Sequence, residues 1–237
     1  MKWVKKLLNF FFPENCKVCQ KTLGNNDVLV CSECFQKLPF IKIYCRRCGN
    51  PLEESLTNYL PNKAISYCSY CETKKLYFDE AFVAFAYKPP ISEWIKELKF
   101  GGNFSLGYKL GILLKKVLKD QIPEVDLIIP LPLSLKRLRE RGFNQSFLLT
   151  WGFLEKKPSD KFLKRILHTK VQTELSQKER WENVKNAFLA TSEVKEKSIL
   201  VIDDVMTTGA TLNEASKALK NKGANKVYVM VLARSIL

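Results

Sequence analysis

Apolar positions change their spacing several times along the 237-residue chain. Ala81-Phe-Val-Ala-Phe-Ala-Tyr87 is a short continuous apolar run, the pattern of a buried strand. From Ser92 to Phe100 the apolar residues Trp94, Ile95 and Leu98 fall on one side of a helix, which Gly101–Gly102 breaks. Leu106 to Leu118 repeats the helical spacing, with Lys115, Lys116 and Lys119 at the end where cations suit the helix dipole. Asp126-Leu-Ile-Ile-Pro-Leu-Pro reads as a strand ended by prolines. Ser146 to Leu154 reads as another helix, followed by a polar break at Lys156–Asp160. Ser198-Ile-Leu-Val-Ile202 is wholly apolar, as expected of a central parallel strand covered on both faces. Leu212 to Lys222 predicts a helix with Gly223 just past its end, and Lys226 to Ala233 a last strand. Strand, helix and strand at this length imply a right-handed parallel crossover and an α/β fold.

The first 75 residues follow no such rhythm. Trp3, Val4, Leu7, Leu8 and Phe11 fall at helical spacing, which fits a short amphipathic helix docked on the body or lying on a membrane surface. The early lysines resemble the start of a signal peptide, but Lys5, Lys6 and Asn9 interrupt the apolar part and no small-residue cleavage site follows. No apolar run approaches the roughly 18 residues of a membrane span, so a cytoplasmic protein is expected. All 8 cysteines lie in this region, in four CxxC pairs: Cys16–Cys19, Cys31–Cys34, Cys45–Cys48 and Cys68–Cys71. A CxxC turn brings two thiolates to one edge of a metal, and two such turns complete a tetrahedron around Zn²⁺. Pairing in sequence order gives one site from Cys16, Cys19, Cys31 and Cys34 and a second from Cys45, Cys48, Cys68 and Cys71; an interleaved pairing is the alternative. Disulfides suit an exported protein, and iron–sulfur ligation is a further option. With little core of its own, this stretch needs metal to hold it together. The expected division is a Cys-rich domain at 1–75 and an α/β domain at 76–237.

Charge adds a class of partner. Lys and Arg number 39 against 24 Asp and Glu, and the resulting +15 attracts phosphate esters, nucleic acid or anionic membranes. Residues 134–185 hold 13 Lys or Arg against 6 Asp or Glu, interleaved with Phe143, Phe147, Trp151, Phe162 and Trp181. Such aromatics fit either a core or a surface for single-stranded nucleic acid, where bases stack and phosphates meet cations.

The candidate chemistry lies in Ile199-Leu-Val-Ile-Asp-Asp-Val-Met-Thr-Thr-Gly-Ala-Thr211, between the apolar strand and the next helix. Ligands in open α/β sheets bind at the carboxyl ends of strands, and a helix N-terminus offers free amides to an anion. Val205 to Thr211 should form a phosphate cradle. Thr207, Thr208 and Thr211 supply hydroxyls, Gly209 admits a close backbone approach, and Val205, Met206 and Ala210 complete the loop. Asp203 and Asp204 repel phosphate but can accept from vicinal sugar hydroxyls or orient Mg²⁺ and its waters. A phosphate cradle beside a diol clamp describes a ribose 5-phosphate site. A Walker loop and a dinucleotide fingerprint both fail, for want of GxxxxGK[ST] and of three glycines. Arg137, Arg139 and Arg141 follow a strand end, where cations could hold a leaving pyrophosphate. The loop after Leu131–Pro132 is the candidate pyrophosphate loop, and Lys99 beside Gly101–Gly102 is a further cation. His168, the single histidine, is either structural or a general base.

The loop resembles the phosphoribosyl diphosphate (PRPP) motif of type I phosphoribosyltransferases: four apolar residues, two acids, two apolar residues, then Thr-Thr-Gly-x-Thr. Other blocks resemble the ComF family. They are Leu98-Lys-Phe-Gly-Gly, Pro130-Leu-Pro-Leu with Arg137, Arg141-Gly-Phe-Asn-Gln145, and the series Arg165, Thr169, Gln172, Leu175, Arg180, Asn183, Ala187-Phe188. The resemblance runs over essentially the whole chain. It implies a type I phosphoribosyltransferase-like parallel sheet with flanking helices behind a small N-terminal double zinc ribbon. It also implies PRPP with Mg²⁺ as ligand, Asp203, Asp204 and Arg141 as catalytic residues, and Gln172, Arg180 and Asn183 in or near a hood over the sugar. ComF members are linked to competence, the uptake of single-stranded DNA, and to annotations of amidophosphoribosyltransferase type. The partners implied are PRPP or a related 5-phosphoribosyl ligand, single-stranded DNA and competence proteins.

Overall fold

A computed structural model describes residues 14–52, 68–167 and 177–235. The stretch from Trp3 to Phe11, and His168, Thr169, Gln172 and Leu175, lie outside the described residues. The Cys-rich region carries two short helices, α1 (Ser32–Gln36) and α2 (Ser69–Glu72). The chain then runs β1 (Glu80–Ala86), α3 (Ile91–Phe100), α4 (Phe104–Leu118), β2 (Leu127–Pro130), α5 (Leu135–Arg141) and α6 (Gln145–Leu154). It continues through β3 (Leu163–Arg165), α7 (Gln177–Asn183), β4 (Phe188–Ala190), β5 (Ser198–Met206), α8 (Ala210–Asn221) and β6 (Lys226–Arg234).

Four strands form one parallel sheet in the order β1-β6-β5-β2, and β3 pairs antiparallel with β4 apart from it. The apolar run of β5 serves both faces. Leu200 and Ile202 join a core with Trp94, Leu98, Leu110 and Leu149 from α3, α4 and α6. Ile199 and Val201 join a core on the other face with Leu212, Ala215 and Leu219 of α8. Alternating side chains of one strand thus fill two cores, which is why residues 199–202 are all apolar.

The structure extends one expected element and adds others. β5 does not stop at Ile202: its pairing with β6 continues through Asp203↔Val231 to Met206↔Arg234, so both acids ride on the strand rather than in a loop. The candidate pyrophosphate loop after Pro132 is short, because Ser134 caps α5 by accepting from Arg137 N at 3.4 Å. α5 buries no residue, so it leaves no apolar period to read. β3 and β4, with 3 residues each, are too short to show a period.

The Cys-rich region is built onto the sheet. Its segment Pro39–Arg46 runs along the outer side of β1, with Ala86 N donating to Pro39 O (2.8 Å), Ile41 N to Ala84 O (3.2 Å) and Ala81 N to Arg46 O (2.7 Å). An edge that would otherwise expose unpaired amides is covered. No helix among the described residues is long and apolar enough to cross a membrane.

Candidate functional site

The eight cysteines gather as two clusters in sequence order, Cys16, Cys19, Cys31, Cys34 and Cys45, Cys48, Cys68, Cys71, with the sulfurs of each cluster all within 4.8 Å of one another. The interleaved pairing is thereby excluded. Closest sulfur separations are 3.7 Å for Cys19–Cys31, 3.5 Å for Cys45–Cys71 and for Cys48–Cys68, and 3.8 Å for Cys68–Cys71. A tetrahedron with Zn–S bonds of about 2.3 Å has edges of about 3.8 Å, so both clusters fit structural zinc sites. Without a metal the crowded thiols of this cluster share their protons unequally: the Cys48 thiol draws Cys45 down to about 5 against its burial, while the hydrogen bond to Cys45 and burial push Cys48 up and burial pushes Cys71 up to about 12.

The other site forms where α3, α6 and the strand-to-helix turn β5–α8 meet. Asp204 Oδ2 lies 2.6 Å from Lys99 Nζ in the last turn of α3, and Asp204 Oδ1 accepts from Val205 N at 2.9 Å. Asp203 Oδ1 accepts from Ser146 Oγ at 2.7 Å and from Asp204 N at 2.9 Å. Ser146 reaches the acid because α6 lies close against α4. A Cβ added at Gly152 would collide with the Tyr108 carbonyl, and one at Gly111 with that of Leu149.

The Arg-Gly-Phe-Asn-Gln block is the joint that sets this up. Gly142, at φ 77°, ends α5 in the left-handed region. Phe143 is buried with its ring centroid 4.5 Å from that of Phe104. Asn144 caps α6 through Ser146 N (3.0 Å) and ties it to the end of β2 through the Leu131 carbonyl (3.0 Å). Buried Gln145 accepts from Arg141 Nη1 at 3.0 Å.

Beyond β5, Thr207 and Thr208 lead into Gly209, whose φ of 80° turns the chain into α8. Asp203, Met206, Thr207, Gly209, Ala210 and Thr211 line a cleft at this turn. Its floor is the N-terminus of a 12-residue helix, the end whose dipole suits an anion, with Ala210 N donating to Thr208 Oγ1 at 3.4 Å.

The two neighbouring carboxylates are shifted in opposite directions. Burial and the adjacent Asp204 push Asp203 up to about 7, against the Ser146 hydrogen bond. Burial would raise Asp204 too, but the charge and hydrogen bond of Lys99 outweigh it, and Asp204 is held below its ordinary value. Burial lowers Arg141, with Arg137 adding repulsion and Asp204 opposing. Burial takes Arg165 down to about 10, again with repulsion from Arg137 and attraction from Asp203. One guanidinium nitrogen of Arg137, Nη2, is buried without a hydrogen-bond partner among the described residues. The site therefore gathers more cationic groups than its two acids neutralise.

Residues 7–72 match the double zinc ribbon domain family, and residues 160–236 match the phosphoribosyl transferase domain family. Competence protein F of Haemophilus influenzae is 31% identical to this chain over 236 residues, which span 95% of this chain and 99% of that protein. The chain belongs to the ComF family. DNA utilization protein YhgH of Escherichia coli is 32% identical to this ComF-family chain over 234 residues, 94% of this chain and 98% of that protein. Among solved structures, the allosteric regulatory enzyme of purine biosynthesis aligns with a TM-score of 0.36 at 21% identity, over 53% of this chain and 26% of that one.

In this ComF-family chain the structure brings together Asp203, Asp204, Lys99 and Arg141 with the turn from Val205 to Thr211, and sets Arg137 near Arg141. Arg180 stands on α7, which packs against α8; Gln172 lies outside the described residues. Ser146 and Arg165 join the site without having been singled out as site residues. Ser146 directly follows the Arg-Gly-Phe-Asn-Gln block, and Arg165 stands in the series shared with the family. Of the aromatics between 134 and 185, Phe143 is buried and Phe162 and Trp181 pack on the core, while Trp151 is 38% exposed.

Proposed function

We propose that this chain binds PRPP with Mg²⁺ at the β5–α8 turn and transfers its phosphoribosyl group to an acceptor nucleophile, in a role tied to competence and DNA uptake. The observation that carries this reading is the junction of a carboxylate pair with an anion-binding helix start, ringed by Lys99, Arg137, Arg141 and Arg165. Asp203 and Asp204 would accept from the ribose hydroxyls. The Thr207–Thr211 turn would hold the 5-phosphate through amides and hydroxyls. The arginines would face the pyrophosphate, where negative charge grows as the C1′–oxygen bond breaks. The electron pair of that bond leaves with pyrophosphate, and the acceptor's lone pair forms the new bond to C1′.

Magnesium, when bound, would neutralise pyrophosphate charge. The acids fit a role in holding it, because a carboxyl pushed up to about 7 by burial and a like charge gains most from a nearby cation. Residues 76–237 would supply the transferase body and residues 1–75 the metal-held part, in a cytoplasmic protein. The names of the relatives, a competence protein and a DNA utilization protein, support the link to DNA.

A second reading makes PRPP or a nucleotide an effector and single-stranded DNA the main ligand. Phe100 favours it: the ring is 80% exposed at the edge of the site, with the Arg141 guanidinium 5.9 Å from its centroid. Turnover assays with bases, amines and DNA as acceptors separate the two. Release of pyrophosphate that Asp204→Asn slows by about 10²- to 10³-fold supports transfer. Absence of turnover with every acceptor, beside DNA binding weakened by Phe100→Ala, supports the effector.

A further inference from the structure

We infer that the second cysteine cluster is part of the support of the phosphate turn, and that Asn50, Arg234, Arg47 and Asn213 are positioning residues that pin this turn at both ends. The inference rests on reading the β5–α8 turn as the phosphoribosyl anchor.

The first pin starts at the turn Cys45–Asn50, closed by Gly49 N to Cys45 O (2.7 Å) and Cys45 N to Asn50 O (2.8 Å). The Asn50 side-chain oxygen accepts from Arg234 Nη2. Arg234 ends β6 with 0% exposure, and its Nη1 donates to the Met206 carbonyl at 3.0 Å and to that of Ser235 at 3.3 Å. Met206 immediately precedes Thr207, and its carbonyl also accepts from Ser235 N at 2.9 Å. The cluster's turn is seated hard on the sheet: a Cβ at Gly49 would stand 2.7 Å from Val83 Cγ2 and 3.9 Å from Arg234 Cδ.

The second pin starts at Arg47, inside the same CxxC. Its guanidinium donates to the Leu76 carbonyl at 2.6 Å and to that of Phe78. Between them, Tyr77 N donates to Asn213 Oδ1 at 2.6 Å, and Asn213 Nδ2 donates to the Lys75 carbonyl at 3.2 Å. Asn213, 4% exposed, lies in the first turn of α8 and donates its own amide to the Gly209 carbonyl at 2.8 Å. This segment follows Cys71, whose carbonyl accepts from Lys74 N at 3.3 Å.

A fully buried guanidinium is costly unless its hydrogen bonds are met, and those shown for Arg234 end on the cluster's turn and on the chain beside the phosphate turn. Both boundaries of the segment from Thr207 to Asn213 are therefore referred to one metal-held turn. A phosphate-binding turn must be in shape before its ligand arrives, or ordering it reduces the affinity.

The test is hydrogen exchange by mass spectrometry on the full, zinc-loaded chain, beside PRPP titration. Asn50→Ala and Arg47→Met change neither a cysteine ligand nor a residue of the β5–α8 phosphate turn. With both zinc ions retained, each variant is expected to speed amide exchange between Thr207 and Asn213 by about tenfold. Exchange in α4 should stay unchanged and PRPP affinity should fall about tenfold. Asn50→Asp keeps an acceptor for Arg234 and should restore both. Lys17→Ala, beside the first cluster, should change neither. Unchanged exchange at the turn in both alanine and methionine variants would overturn the inference, as would failure of Asn50→Asp to restore it. A wild type whose turn is protected but which takes up no PRPP would sink the proposed function and leave the pinning intact.

Discussion

The two cysteine clusters share one motif and one ligand chemistry but occupy different places. The first is open on one side: Cys19 is exposed, and nearby Lys17 pairs with Glu97 of α3 at 2.7 Å, half-buried at the surface. Its apolar neighbours Leu29, Val30 and Leu38 extend the core on the α3–α4 face. Cys45, Cys48 and Cys71 of the second are buried within the core on the α8 face, beside Val83 and Val229. Polar links run from it to both ends of the candidate phosphate turn. The motif specifies that a metal is held; the surroundings decide whether the metal fastens a surface or shapes a site.

Removing one ligand from each cluster should separate them most. Cys71→Ser is expected to lower the melting temperature of the whole chain and abolish PRPP binding, since structural zinc contributes on the order of 10 kcal/mol of folding energy. Cys19→Ser should loosen its own ribbon and leave PRPP affinity within about threefold. Calorimetry on both variants reads this, and equal losses would erase the comparison.

Next in size, Asp204→Asn should keep both zinc sites and cut transfer by about 10²- to 10³-fold, the scale of one preorganised electrostatic partner. Single-turnover rates with zinc analysis check it.

Asp203 gives a smaller effect of opposite sign on stability. Its ordinary value is 3.8 and its folded value about 7, so the folded chain holds a proton that the unfolded chain releases. The stability contributed below the ordinary value is lost as pH rises through the folded value. Asp203→Asn should therefore unfold several degrees above wild type near pH 8 and together with it near pH 4, while binding PRPP more weakly. PRPP affinity of the wild type should rise with pH through about 7, and that rise should vanish in the variant. Thermal scans and titrations across pH report both.

Smallest is Lys17→Ala at the first cluster. Its ion pair has side chains 30% and 37% exposed, so its loss should cost about 0–1 kcal/mol and leave binding unchanged.

Much of this organisation is legible in residue spacing. The CxxC pairs announce metal, and the apolar run before Asp203-Asp204 announces a central strand ending in chemistry. What brings Ser146 to Asp203 across 57 positions is not local: it depends on close packing at Gly111 and Gly152 and on an Asn144 cap that acts in three dimensions. Arg234 falls just past the apolar run expected to end at Ala233, and only packing shows it buried between the second cluster and Met206. α5 was hidden for the opposite reason, since it buries nothing and its helix rests on Ser134 and Gly142 at its ends.

The most direct measurement is calorimetric titration of the zinc-loaded chain with PRPP, with and without Mg²⁺, beside the Asp203→Asn, Asp204→Asn double variant. Saturable, Mg²⁺-dependent binding that the variant loses is the predicted result. Absence of binding in the wild type, or equal binding in the variant, would contradict the assignment of the β5–α8 turn as a phosphoribosyl site.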